Sequence, residues 1–211
     1  MESSSSPAPL PCSFFEPSAR IVAPKLLGHW LLRRTPEGLW AGGEIVETEA
    51  YLVDDPACHG FRGETARNRS MFGPPGHGYV YFIYGNHFCF NAVCARPGIA
   101  EAVLIRAIEP SFNLGWMKMN RPVKHERELT SGPGKLCLAL DIDRSLDGAN
   151  VAEPTSDVII AMNPQRKKFL LAHGSVVTTT RIGISSAAGH PLRFLLSGSR
   201  FVSRRAAIEQ H

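Results

Sequence analysis

Glu47, Glu49 and Tyr51 stand two residues apart in the stretch EIVETEAY. An extended chain alternates its side chains, so these three share one face while Glu44 falls out of phase. Two carboxylates and a phenol do not build an apolar core. A solvent-facing strand edge accommodates them, and so does an active site in which one carboxylate acts as general base on water. A sugar hydrolase would also place two carboxylates here, and the stretch alone does not separate these readings. A third charge lies in VLIRAIEP, where Arg106 interrupts an apolar run. A guanidinium taken out of water needs an acceptor to offset its desolvation. Glu109, three residues on, falls on the opposite strand face, so Glu47 and Glu49 are the natural partners. Such a pair serves either structure or catalysis.

Two other segments suit anions. The loop HGFRGETARNRSMF mixes Arg62, Arg67 and Arg69 with Thr65, Asn68 and Ser70. Cations beside short donors fit phosphate oxygens, although a solvated loop has the same composition. SGPGKL resembles a phosphate loop superficially, but Leu136 follows Lys135, so G-x-x-x-x-G-K-[ST] is not satisfied. Lys135 near a helix start opposes the helix dipole unless an anion sits between them.

YVYFIYGNHFCFN (79–91) carries β-rich runs on either side of Gly85-Asn86, a hairpin signal. A two-residue loop pairs Tyr84 with His87 and separates Tyr81 from Asn91. A three-residue loop pairs Ile83 with His87, brings Tyr79, Tyr81 and Asn91 to one face and leaves Tyr84 at the tip. Rings for stacking and an amide for reading edges suit a planar heterocycle. Phe82, Phe88 and Phe90 read as core.

The elements that must position these groups come from a chain of 211 residues, 44% hydrophobic and 20% charged, enough for one sizeable domain. The net charge of +4 points to a polyanion only if the cations gather on one face. No apolar run approaches the roughly 20 residues of a membrane helix. Five cysteines without a C-x-x-C pair argue against a zinc cluster or disulfide frame and fit a reducing compartment. Cys58-His59 lacks a matching half, so no metal is expected. MESSSSPAPLPCS has an acidic start and no apolar h-region, unlike a secretory signal, and residues 1–16 read as a flexible arm. APKLLGHWLLRR reads as an amphipathic helix and LWAGGEIVETEAYL as a strand. A long irregular segment follows, from Asp54 to Gly78, then the hairpin and the strand EAVLIRAIEP. SFNLGWMKMNR and SGPGKLCLALDI read as helices; SDVIIAM, VVTTTRIGIS and PLRFLLSG read as strands. The elements do not alternate as βαβ units, which predicts a mixed α+β domain over 17–205 with a tail at 206–211.

EIVETEAYL, RNRSMF, YVYFIYGNHFCFN, VLIRAIEP and SGPGKLCLALDI, in this order, resemble the alkyladenine (3-methyladenine) DNA glycosylase family from about Val22 to Arg204. One such motif is unspecific; five in sequence are not. The resemblance implies a curved, largely antiparallel sheet with flanking helices and a protruding hairpin, FMT C-terminal-domain-like. It implies a monomer without cofactor or membrane attachment that binds double-stranded DNA containing damaged purines. Position by position, Glu49 matches the base that activates water and Arg106 the arginine that helps hold it. Tyr51, His59 and Tyr81 match the walls of the base pocket, with the His59 main chain available to the base. Asn91 matches the residue that crowds the 2-amino group of guanine, and Tyr84 the side chain that intercalates. Arg67, Arg69 and Lys135 are the expected phosphate contacts. The implied enzyme flips alkylated or deaminated purines of the 3-methyladenine, hypoxanthine and ethenoadenine class and hydrolyses the N-glycosidic bond. It leaves an abasic site without nicking the strand, in a bacterial cytoplasm or, in a eukaryote, the nucleus. A non-catalytic binder of damaged DNA is the alternative, but binding alone needs neither Glu49 nor Arg106. The chain departs from the family at Asn86-His87, in the short span from Glu49 to His59 and through 145–176, to which no role carries over.

Overall fold

Gly42 and Gly43 mark the point where the sheet is squeezed from both sides. In a computed structural model that describes residues 6–83 and 87–203, a Cβ on Gly42 would stand 2.1 Å from the Leu31 carbonyl oxygen. One on Gly43 would stand 1.8 Å from that of Glu109. Both glycines lie in β2 (Trp40–Tyr51), the strand around which the others are arranged. On one side β2 pairs along its length with β5 (Glu101–Phe112). On its other side, residues 40–44 pair with β1 (Trp30–Arg34), while Glu47–Glu49 pair with β8 (Arg193–Leu196). Register shifts at Ile45/Glu47 and Glu47/Thr48 lie at this fork. A bulge strengthens local twist, so β1 and β8 diverge from one strand and the sheet curls. β3 (Gly78–Ile83) and β4 (His87–Cys94) extend the β5 side, β6 (Val158–Ala161) the β1 side, and β7 (Val176–Thr179) pairs with β8. Every pairing is antiparallel.

The helices are α1 (Ala19–Leu26), α2 (Leu114–Asn120), α3 (Pro133–Ala139) and α4 (Arg166–Ala172). This is the α+β architecture expected from the sequence. Strand parity divides the residues of β5 as far as Ala107, beyond which Ile108 also enters the core. Along β5, Val103, Ile105 and Ala107 enter the main core with Leu26 and Leu136, whereas Leu104 and Arg106 face a cavity on the other side. A smaller cluster of Cys58, Met71, Tyr79, Val93, Ala100 and Ala102 lies beneath the long loop.

Four expectations need correction. Phe82, read as core, is 46% exposed. APKLLGHWLLRR is not one helix: α1 ends at Leu26, Gly28 turns the chain at φ +80°, and WLLRR is β1. Leu31 packs in the main core and Leu32 in a cluster on the other face, so an apolar pair that fits a helical stripe serves a strand covered on both sides. Residues 6–16 are not loose. Pro9 bridges Ala161, the Leu10 N–H donates to the Ile160 carbonyl at 2.8 Å, and Phe15 is fully buried. Proline is tolerated there because the segment lies on a sheet edge. Finally, VVTTTRIGIS is a strand only to Thr179, after which the chain leaves the sheet.

Candidate active site

The cavity, about 500 Å³, is bounded by the ends of β2, β3, β4 and β5, by the loop carrying His59, and by Ile182–Ile184. The hairpin adopts the three-residue register, with Ile83 opposite His87 and Tyr79 opposite Asn91. Tyr79, Tyr81 and Asn91 therefore reach one wall together. Tyr84 falls outside the described residues.

Glu47 and Glu49 are both fully buried, which excludes the solvent-facing edge. Arg106 divides itself between them, Nε to Glu47 at 2.9 Å and Nη1 to Glu49 at 3.2 Å. Burial works against the Arg106 charge, but Glu49 and Glu47 more than restore it and lift its pKa above the usual value. The two carboxylates have different surroundings. Glu47 accepts hydrogen bonds from Arg106, from Arg193 Nε at 2.7 Å, and from both the N–H (2.6 Å) and the hydroxyl (2.8 Å) of Ser203. Three of these donors meet Oε1 and the Ser203 N–H meets Oε2, so Glu47 binds the end of the described chain to the sheet. Glu49 Oε2 receives Arg106 and the Tyr51 hydroxyl at 3.0 Å, and Oε1 receives the Ile182 N–H at 2.9 Å. Tyr51, Arg106 and Ile182 line the cavity, so the Glu49 carboxylate stands one residue behind its wall. Burial first, and then the Glu49 charge, push the Tyr51 phenol well above its ordinary pKa. It stays a hydrogen-bond donor.

The aromatic walls brace one another. His59 lies edge-on to Tyr81 with ring centres 4.4 Å apart, and Tyr79 lies 5.4 Å from Tyr81. His59 Nδ1 and the Tyr79 hydroxyl are 2.8 Å apart. Burial, helped by the nearby Arg67, lowers the His59 pKa and favours neutral imidazole. The His59 carbonyl already accepts from Asn68 Nδ2 at 2.8 Å, which fixes the loop. Asn91 is held by one amide hydrogen on the Tyr79 carbonyl, 2.9 Å away. Cys89 completes this wall, its thiol pushed up to about 11 by burial and so uncharged.

The three expected phosphate contacts differ in their surroundings. Arg67 donates to the Phe82 carbonyl at 3.1 Å and so lies along the hairpin. Arg69 is mostly exposed and pairs with Glu64 at 3.1 Å. Lys135 lies in the first turn of α3, where Gly134 packs against His87. Arg144, not anticipated from the sequence, joins Arg67 by donating to the carbonyls of Val80 (2.9 Å) and Arg67 (3.4 Å).

The larger omission is Ile182–Ile184. RIGI reads as strand, but Gly183 at φ +77° bends the chain across the cavity mouth. A glycine inside a strand pattern is the available signal for such a bend. Among the described residues, no group of three or more His, Cys, Asp or Glu could hold a metal ion.

A family model described as "Methylpurine-DNA glycosylase (MPG)" matches residues 13–200. Curated relatives carry the description "Putative 3-methyladenine DNA glycosylase". The chain is 48% identical to one from Methanoculleus marisnigri and 46% identical to one from Carboxydothermus hydrogenoformans, each over 93% of this chain and 99% of the relative. It is 47% identical to one from Rhizobium meliloti, over 91% of this chain and 95% of the relative.

Proposed function

The chain belongs to the methylpurine-DNA glycosylase family of hydrolytic DNA-repair enzymes, and from that premise we propose that it excises damaged purines by flipping them and hydrolysing the N-glycosidic bond with a Glu49-activated water. The observation that carries this reading is the placement of Glu49. Its carboxylate is shared by Arg106 and Tyr51 directly behind an aromatic cavity with room for a purine.

A base inside a duplex is out of reach, and extruding its nucleotide costs a few kcal/mol. Tyr84, which matches the intercalating side chain of the family, offsets part of this by stacking where the nucleotide leaves, worth roughly 1–3 kcal/mol by analogy with single-strand stacking. The flipped purine enters among Tyr51, His59 and Tyr81. Electron-rich ring faces favour the positive charge of an alkylated base, and neutral His59 adds no repulsion. Asn91 stands where a 2-amino group would arrive. As the bond to C1′ lengthens, the sugar becomes oxocarbenium-like and the nearby carboxylate stabilises it. Oε1 accepts only the Ile182 N–H among the contacts above, so its second lone pair is the one left for a water proton. That water enters between Tyr51 and Ile182. Arg106 holds Glu49 in orientation through the Nη1 contact.

No step needs a lysine Schiff base, so the product is an intact strand with an abasic site. Double-stranded DNA containing damaged purines is the partner, met by a monomer through Arg67, Arg69 and Lys135. The location is a bacterial cytoplasm or, in a eukaryote, the nucleus. The test is incubation with duplexes carrying one 3-methyladenine, hypoxanthine or ethenoadenine, followed by alkali. Strand cleavage only after alkali supports the proposal. Borohydride trapping of an enzyme–DNA adduct, or no cleavage of any duplex, overturns it.

A further inference from the structure

Two segments meet at Glu49, the end of β2 with Tyr51 and the chain beyond β7 with Ile182, and a third, the loop leading to His59, adjoins them at Asp55. One buried ion pair joins all three. Asp55 and Arg181 are 2% and 5% exposed. Arg181 Nη2 donates to Asp55 Oδ1 at 3.0 Å while Nη1 meets Oδ2, a two-pronged contact. Nη1 also donates to the Ala50 carbonyl at 3.0 Å, and the guanidinium carbon lies 4.7 Å from the centre of the Tyr51 ring. Asp55 accepts in turn from the Ala57 N–H at 3.0 Å, two residues before His59. The residue after Arg181 is Ile182, whose N–H meets Glu49.

Removing two ions from water costs several kcal/mol each, and well-packed apolar side chains in the same space are often as stable. Stability alone does not explain a fork that reaches all three segments. Resting on the function proposed above, we infer that Asp55 and Arg181 are positioning residues: their pair holds the Ile182 amide on Oε1 and the Tyr51 hydroxyl on Oε2, so that Glu49 meets the flipped nucleotide in one orientation. The other charges around Glu49 are Arg106 from β5, Glu47 beside it on β2 and Arg193 from β8, and all three belong to the sheet itself. The clamp is what ties the chain beyond β7 to this centre.

Two variants test the inference. Arg181→Lys keeps the charge but cannot span both carboxylate oxygens. Asp55→Asn with Arg181→Met removes both charges and leaves no unpaired ion. Single-turnover excision from a duplex bearing one hypoxanthine is followed with enzyme in excess, alongside affinity for the same duplex. A misaligned catalytic group can cost roughly 100-fold in rate. The expected result is a fall of about that order in the rate constant, at full reaction amplitude and with affinity retained, and a smaller fall for Arg181→Lys. A folding defect instead lowers amplitude, the fraction of competent molecules, and leaves the rate constant of the rest unchanged. A rate constant equal to wild type, at full or reduced amplitude, overturns the inference. A wild-type protein that releases no purine while Glu49→Gln behaves identically overturns the proposed function instead.

Discussion

Arg106 separates two carboxylates that the sequence presents as equals. Its Nε meets Glu47 and its Nη1 meets Glu49, but only Glu47 has Arg193 and Ser203 as further partners. Glu47 thus ties two guanidinium groups and the end of the described chain together, a structural setting that disfavours a sugar hydrolase using both acids. Replacing it by Gln leaves two buried guanidinium groups short of one negative charge. Breaking a buried pair in this way costs about 3–5 kcal/mol. We therefore expect Glu47→Gln to lower the urea unfolding free energy by that amount. Unchanged stability with activity abolished would instead give Glu47 a chemical role. The parity of ETEAY and the isolation of Arg106 in an apolar run made this triad legible. The Arg193 and Ser203 contacts were not, because they come from remote segments that carry no motif.

Among the elements, β1 shows how one residue's ionisation can bear on a junction. His29 lies between α1 and β1, where its Nδ1 accepts the Asn163 N–H at 3.4 Å and its ring stands edge-on to Phe14. Burial, and secondarily Arg166, lower its pKa from 6.5 to about 4. The unfolded chain thus takes up this proton first on acidification. Its contribution to stability is complete above about pH 6.5 and is lost as pH falls towards about 4. His29→Gln should flatten the decline of unfolding free energy across that interval, measured by denaturant titrations at successive pH values. An undiminished slope would remove His29 from this role. The same junction shows why element boundaries were only partly readable. Apolar residues at 26, 27, 30 and 31 satisfy a helical stripe, and only the left-handed turn at Gly28 divides them into α1 and β1. The hairpin register was readable because pairing Ile83 with His87 is the choice that gathers Tyr79, Tyr81 and Asn91 on one face. The bend at Gly183 was missed, since the surrounding β-branched run outweighs the single glycine that signals it. The chain has left the sheet after Thr179 by the point at which the Ile182 amide meets Glu49.

For the whole molecule, the forked and curled sheet has the main core on one face and the cavity on the other. The basic loop and α3 flank the hairpin, so a modest net charge of +4 includes cations close to the cavity. Family membership makes this a DNA-repair glycosylase. The chemistry then depends on whether the acid held between Arg106, Tyr51 and Ile182 performs it. The direct measurement is purine release by Glu49→Gln against wild type in single turnover, with lesion-duplex affinity measured in parallel. Loss of a general base predicts a fall of about 10²–10⁴-fold with binding preserved. Equal rates from the two proteins would contradict the account.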